Sequence, residues 1–246
     1  MVAGKLALVT GAGSGIGKAV CRILATEGAT VIAADRNIEA ARNTVADLND
    51  PKHMALNIEV SSVTSIKESF AKVIKNYSMP PTIIVNSAGI TRDQFLLKLE
   101  PDQFDEVINV NLRGTFLIMQ TAVKAMIEAQ NSDGCSIINL ASIIGKTGNI
   151  GQGNYAASKA GVEALTKTAS LEFGKFGVRV NAVLPGFIET PMTETIPDNI
   201  KQLFLKRIPL QRMGKAQEVA EVIGFLASKK SSYVNGASIE VTGGLF

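Results

Sequence analysis

Tyr155-Ala-Ala-Ser-Lys159 sets a phenol and an ammonium four residues apart. That is just over one helical turn, so on a helix both groups project from one face and can touch one ligand. A phenol ionises near pH 10, too high for easy proton exchange at neutral pH, and a neighbouring cation is expected to pull that value down by favouring the phenolate. Ser142, after the apolar run 136–140, can hydrogen-bond the same substrate oxygen that exchanges a proton with Tyr155. Alone, Tyr-x-x-x-Lys is a common accident of helical sequence, an aromatic on an apolar face; its weight depends on what accompanies it.

Residues 10–17 read Thr-Gly-Ala-Gly-Ser-Gly-Ile-Gly, directly after the apolar run 6–10 and at the start of a helical period. Glycines there let the backbone turn tightly against a pyrophosphate, which the free N–H groups and positive end of the helix hold. No Lys-Ser/Thr pair follows, which disfavours a triphosphate-binding loop. Asp35 closes a second apolar run, Val31-Ile-Ala-Ala-Asp35. A carboxylate at that position accepts hydrogen bonds from the adenosine ribose and repels a 2′-phosphate, which favours NAD over NADP. Arg36 beside it pulls the other way.

These groups need a scaffold, and short apolar runs alternating with stretches of helical period supply one. The runs fall at 6–10, 30–34, 53–57, 82–86, 136–140, 178–184 and 238–241, the helical stretches near 16–28, 38–48, 62–76, 102–129, 154–174 and 216–227. Regular alternation implies crossovers between parallel neighbours, and runs nearly continuous in Val, Ile, Leu and Ala suit strands covered on both faces. The expectation is an α/β fold: a single Rossmann domain over 1–246, with a doubly wound, seven-stranded parallel sheet and helices on both faces. Pro185, Pro191, Pro197 and Pro209 interrupt any long helix after the sixth run. A stretch so long and irregular in a compact domain is usually a lid, and about 187–207 reads as a substrate cover.

Composition narrows the alternatives. Hydrophobic residues make up 46% of the chain and charged ones 19%, enough apolar side chain for a closed core. The formal charge of +3 arises from 25 basic and 22 acidic residues in mixed order, so no run makes a footprint for nucleic acid. Cys21 and Cys135 have neither metal-ligand spacing nor companion histidines; no metal is expected, and both read as packing residues in a reducing compartment. His53, the single histidine, has no partner in sequence and reads as a surface or strand-edge residue. No segment reaches the roughly 18–20 apolar residues of a spanning helix, and the chain passes from Met1-Val-Ala-Gly4 straight into a strand-like run, so neither a membrane nor a cleavable presequence is expected.

Taken in order, the glycine turn, Asp35, Ser142 and the Tyr155/Lys159 pair resemble the short-chain dehydrogenase/reductase family over essentially the whole chain. Gly11-x-x-x-Gly15-x-Gly17 matches that family's turn rather than the general dinucleotide fingerprint. The resemblance implies an NAD-dependent oxidoreductase acting on CH–OH groups, with a tetrad of Asn111, Ser142, Tyr155 and Lys159. It implies that Tyr155 is the general acid/base, that Ser142 orients the substrate oxygen, that Lys159 binds the nicotinamide ribose and tunes Tyr155, and that Asn111 holds a relay water. Cofactor contacts are implied at Gly11, Ser14, Gly15, Ile16 and Gly17, at Asp35, and at Glu59 and Val60 near the adenine. Further contacts are implied at Asn86, Ala88 and Gly89, and at Pro185, Gly186, Ile188 and Thr190 near the carboxamide. Two positions depart from the family pattern: Ser87 replaces the commoner second Asn, and Glu59 stands where an Asp is usual.

Within the family, Gly89-Ile-Thr-Arg-Asp-Gln-Phe-Leu-Leu97, Gly148-Asn-Ile-Gly-Gln152, residues 184–192 and residues 240–246 resemble the branches acting on 3-oxoacyl thioesters and 17-beta-hydroxysteroids. This implies hydride transfer at C3 of a (3R)-3-hydroxyacyl or 3-oxoacyl thioester in the mitochondrial matrix. The alternatives are a steroid substrate, or the role of a non-catalytic NAD-binding subunit. Helices 102–129 and 154–174 packed across a two-fold, with Val241-Thr-Gly-Gly244 at a second interface, would make a homotetramer, or a heterotetramer with a related reductase subunit. The loop Asn131-Ser-Asp-Gly134 carries no base where carrier-docking reductases have them, which favours a CoA thioester over one on an acidic carrier protein for this chain alone, or else implies that a partner subunit supplies the basic surface.

Overall fold

Apolar runs with no polar face suit strands buried on both sides, and the central runs at 6–10 and 136–140 become such strands. The computed structural model describes residues 2–245. Along the chain lie β1 (Leu6–Thr10), α1 (Gly15–Thr26), β2 (Thr30–Asp35), α2 (Ile38–Ala46), β3 (Met54–Asn57), α3 (Val63–Tyr77) and β4 (Ile83–Asn86). Then come α4 (Pro101–Val107), α5 (Gly114–Glu128), β5 (Ser136–Leu140), α6 (Ile144–Thr147), α7 (Gly153–Gly174) and β6 (Arg179–Pro185). The rest is β7 (Ile188–Glu189), α8 (Pro191–Glu194), α9 (Asp198–Arg207), β8 (Gly214–Lys215), α10 (Ala216–Ala227) and β9 (Ser238–Val241).

Seven strands form one parallel sheet in the order β3-β2-β1-β4-β5-β6-β9. Every residue of β1 and of β5 is buried. Alternate side chains of β1 feed two cores. Ala7 and Val9 meet Val20, Cys21 and Leu24 of α1 and Ile223 of α10, whereas Leu6 and Leu8 meet Phe70 of α3 and Ile118 and Met126 of α5. The chain builds outward from β1 to β3 and then returns to place β4 against the other side of β1, so a crevice opens at the carboxyl ends of the central strands, where such sheets bind ligands.

Two expected elements differ. The helical stretch 102–129 is broken by a π-helical turn, Ile108–Arg113, which separates α4 from α5. The stretch after β6 is more regular than its prolines suggest. Pro191 opens α8 and Pro197 caps the start of α9, positions where a missing N–H costs nothing, and β7 pairs in parallel with β8.

His53 is buried rather than exposed. It directly precedes β3, the edge strand, and its Nδ1 accepts the Val31 N–H of β2 at 3.0 Å, a bond that requires an unprotonated Nδ1. Burial holds its pKa below the ordinary 6.5, against a smaller opposing pull from Asp50. Because the folded value lies below the unfolded one, this contribution is complete above about pH 6.5 and is lost as pH falls from there through the folded value. Denaturant midpoints are therefore expected to fall on acidification through that window, and His53→Gln, whose carbonyl can accept the same N–H without titrating, should flatten the fall. Equal slopes for the two proteins would remove His53 from the account.

Candidate active site

At the end of β1 the chain enters the glycine turn. Thr10 Oγ1 accepts the backbone N–H groups of Ser87 and Ala88, both at 3.2 Å, and so lashes the turn to the loop after β4. Gly11 has φ +65°, and a Cβ there would lie 2.8 Å from the Ala88 backbone. Asp35, at the tip of β2, accepts the Gly13 N–H on one carboxylate oxygen and the Asn37 N–H on the other, each at 2.9 Å. A Cβ on Gly13 would strike Ala40 Cβ at 2.6 Å. The carboxylate therefore shapes the turn as well as facing the cleft, and its remaining lone pairs are available to a ribose. Helix α1 starts at Ser14 with no side-chain cap, which leaves its first N–H groups to the cleft.

The candidate proton-transfer groups sit beyond β4 and β5. Ser142, two residues after β5, is buried, and its Oγ accepts the Ile144 N–H at 3.2 Å. Tyr155 lies in the first turn of α7, where Asn154 Oδ1 accepts its N–H at 2.8 Å and Ser158 Oγ donates to its carbonyl at 2.7 Å. One turn on, Lys159 is 5% exposed; its Nζ donates to the Leu140 carbonyl at 2.7 Å and lies 5.6 Å from the Tyr155 ring centre. Close packing of α6 on α7 allows this approach, since a Cβ on Gly145 would be 2.8 Å from the Ala160 nitrogen.

Tyr155 departs from expectation in one respect: its phenol is pushed up, to about 12, rather than down. Burial is the main cause; the Ser142 hydroxyl offsets part of it and the Asp93 carboxylate adds to it. Burial also lowers Lys159, to about 8, and Lys159 makes no salt bridge among the described residues. Two polar groups sharing one poorly solvated wall both move toward neutrality.

A cleft of about 810 Å³ joins the two ends, within the range of small-molecule sites. Its wall includes Gly11, Ser14, Gly15, Ile16 and Gly17, then Asp35, Glu59 and Val60. Ala88 and Gly89 follow, with Ser142, Tyr155 and Lys159, and finally Pro185, Gly186, Ile188 and Thr190. Glu59 reaches the cleft with Oε1 already accepting from the Ser61 hydroxyl at 2.8 Å.

Two expected site residues do not line it. Asn86 is buried within the sheet and donates to Asn139 Oδ1 at 2.8 Å, joining β4 to β5. Asn111 is wholly buried in the π-helical turn. Its Oδ1 accepts the Ile90 N–H at 2.8 Å, and its Nδ2 donates to the Ile90 carbonyl at 3.0 Å and to Ser158 Oγ at 3.1 Å. Both amide hydrogens are engaged, so this side chain braces the Gly89–Ile90 loop against α7 and does not itself face the cleft. A third group is new: Asp93, Asn149 and Gln152 line the cleft, with Gln152 Nε2 donating to both Asp93 oxygens at 3.2 and 3.1 Å and Asn149 donating to Gln152 Oε1 at 2.9 Å. The segment Gly148-Asn-Ile-Gly-Gln152 stands out in the sequence, but nothing in it announces that Asp93 lies across from it.

The residues fit a dinucleotide: a glycine turn with free N–H groups and an acidic strand end at one extremity, and a phenol, a hydroxyl and an ammonium at the other. Comparison with known proteins bears on the same point. A family model described as enoyl-(acyl carrier protein) reductase matches residues 11–246. A (3R)-3-hydroxyacyl-CoA dehydrogenase from Mus musculus is 50% identical over 250 residues, covering 98% of this chain and 96% of the relative. A 3-oxoacyl-(acyl-carrier-protein) reductase, FabG, from Thermotoga maritima is 48% identical over 244 residues, covering 98% of each. A crystal structure described as ribose-5-phosphate isomerase from Brucella melitensis 16M superposes with a TM-score of 0.90 at 33% identity, covering 98% of this chain and 92% of that one.

Proposed function

The chain belongs to the short-chain dehydrogenase/reductase family, and from that premise we propose that it moves a hydride between NAD and C3 of a (3R)-3-hydroxyacyl or 3-oxoacyl thioester. The observation that carries this reading is the convergence of Ser142, Tyr155 and Lys159 on one cleft with the glycine turn and Asp35. Relatives named for 3-hydroxyacyl-CoA oxidation and 3-oxoacyl reduction support the substrate class.

The turn 11–17 would hold the pyrophosphate, Asp35 the adenosine ribose, Lys159 the nicotinamide ribose, and Ile188 and Thr190 the carboxamide. When bound, the nicotinamide supplies the hydride acceptor or donor. In reduction Tyr155 Oη gives its proton to the carbonyl oxygen as C3 becomes an alcohol; in oxidation it takes the hydroxyl proton. Ser142 Oγ fixes that oxygen by a second hydrogen bond. A phenol pushed up to about 12 is held protonated at neutral pH, which suits the reductive direction. Asn111 keeps the Gly89–Ile90 loop and Tyr155's helix in register through Ser158.

The base-free loop at 131–134 supports a CoA thioester rather than one on an acidic carrier. A mainly apolar hollow of about 450 Å³ between the turn Ile108–Arg113, α5 and α7, lined in part by Leu112, Phe116, Gly161 and Leu165, supports assembly across a two-fold into a tetramer, homomeric or mixed with a related subunit. A mitochondrial matrix location accords with this chemistry. The apolar lid favours no polar steroid contact over an acyl tail. Initial rates with NAD on (3R)-3-hydroxybutyryl-CoA and on estradiol, side by side, test the reading: faster turnover of the thioester is expected, with NADP slower than NAD. Faster estradiol turnover would make the lid a steroid pocket, and silence with both would leave a binding subunit.

A further inference from the structure

We infer that Leu245, in the segment that follows β9, sets the length of acyl tail the cleft accepts; this rests on the thioester reading above. Part of the cleft wall is one apolar cluster: Ile144 of α6, Phe187, Ile196 and Phe204 of the lid, and Leu245. None of the five carries a charge or a hydroxyl. Phe187 and Phe204 stack with ring centres 5.0 Å apart, and Leu245 is 5% exposed within a cluster that includes Ile143, Phe187 and Ile208.

The backbone is shaped to deliver this one side chain. Gly243 and Gly244 hold φ at +66° and +89°, where an L side chain is strained. A Cβ on Gly244 would also lie 2.8 Å from Pro209 Cγ, and one on Gly243 would lie 3.0 Å from Ile208 Cγ2. The Leu210 N–H donates to the Gly243 carbonyl at 3.2 Å, and the Leu245 N–H to the Thr242 carbonyl at 3.3 Å. The turn therefore bolts onto the exit of the lid and points Leu245 into the wall.

A thioester has two unlike arms, a hydrocarbon tail and an amide-bearing carrier arm. Amides laid on this wall would lose water without gaining partners, whereas a saturated tail loses nothing. The polar arm finds partners instead at Asp93, Asn149 and Gln152 on the same cleft. Leu245 is the part of the apolar wall that belongs neither to the lid nor to the sheet's crossover helices, so its bulk can limit the tail without moving the catalytic groups.

The test is kcat/KM for saturated (3R)-3-hydroxyacyl-CoA substrates of increasing length with the wild type, Leu245→Ala and Leu245→Phe. In the wild type each methylene that fits is expected to raise kcat/KM about fourfold until the tail meets Leu245. Leu245→Ala should extend that rise to longer tails, and Leu245→Phe should end it sooner. Opposite shifts support the inference. An unchanged length profile, or a uniform loss at all lengths in both variants, would overturn it while leaving the thioester reading intact. Failure of the wild type to turn over any thioester would overturn that reading and the inference with it.

Discussion

Tyr155→Phe is expected to lower kcat for oxidation of the hydroxyacyl thioester by a factor of about 10² or more, with NAD still bound. The substitution removes one hydroxyl and keeps the ring, so the packing of α7 and the bonds from Asn154 and Ser158 to the Tyr155 backbone survive. The pH dependence follows from the direction of the shift. Oxidation needs the phenolate, whose population grows as pH rises toward about 12, so the oxidation rate should climb from neutral pH through the alkaline range; carbonyl reduction needs the phenol, which is present throughout. Lys159, held down to about 8, brings its charge to bear on Tyr155 chiefly below that pH. Initial rates in both directions across this range check the assignment, because the Phe variant should lose the climb as well as the rate. A variant with wild-type rates would return the chain to the role of a binding subunit, and one that kept the climb would move the base elsewhere.

The second large effect is expected at Asp35. Replacing it with Ser removes the charged acceptor for the ribose hydroxyls and leaves Arg36, also on the cleft wall, unopposed. Hydrogen bonds to a charged group contribute about 1.5–3 kcal/mol, so the KM for NAD should rise by roughly 10- to 150-fold while NADP improves. Asp35 also anchors Gly13 and Asn37, so part of any loss could come from the turn itself. Asp35→Asn separates the two contributions: it keeps a carbonyl for one of the two N–H groups and lacks the charge. If both variants keep their thermal midpoint and the NAD-to-NADP ratio of kcat/KM does not move, Asp35 does not select the cofactor.

Much of the scaffold is legible in the residues. The runs 6–10, 136–140 and 238–241 match β1, β5 and β9 residue for residue; for the first two the reason is that a largely apolar run has one stable use, a strand covered on both faces. The chemistry-bearing positions are legible for a different reason: their spacing is helical or follows a strand end, so local geometry brings Tyr155, Lys159 and Ser142 to one cleft. The failures share a cause, in that each depends on a contact distant in sequence. The prolines at 191 and 197 read as breakers because their place at helix starts depends on where the chain turns. The direction of the Tyr155 shift depends on how completely its wall excludes water. Asn86 and Asn111 are spent on Asn139, Ile90 and Ser158, partners lying 53, 21 and 47 residues away.

The turn Ile108–Arg113 winds wider than the helices it joins. A π-helical turn holds an extra residue relative to an α-helix, and one residue corresponds to about 100° of rotation. Deleting any one residue there would let α4 and α5 run as a single straight helix and would leave its helical propensity intact. It would also swing Asn111 off Ile90 and Ser158, and so unbrace the loop and helix that carry Gly89 and Tyr155. Here the constraint on the gene is one of count as well as composition: tolerance to insertion and deletion between α4 and α5 is governed by the cleft, although no residue of α4 or α5 is part of its wall.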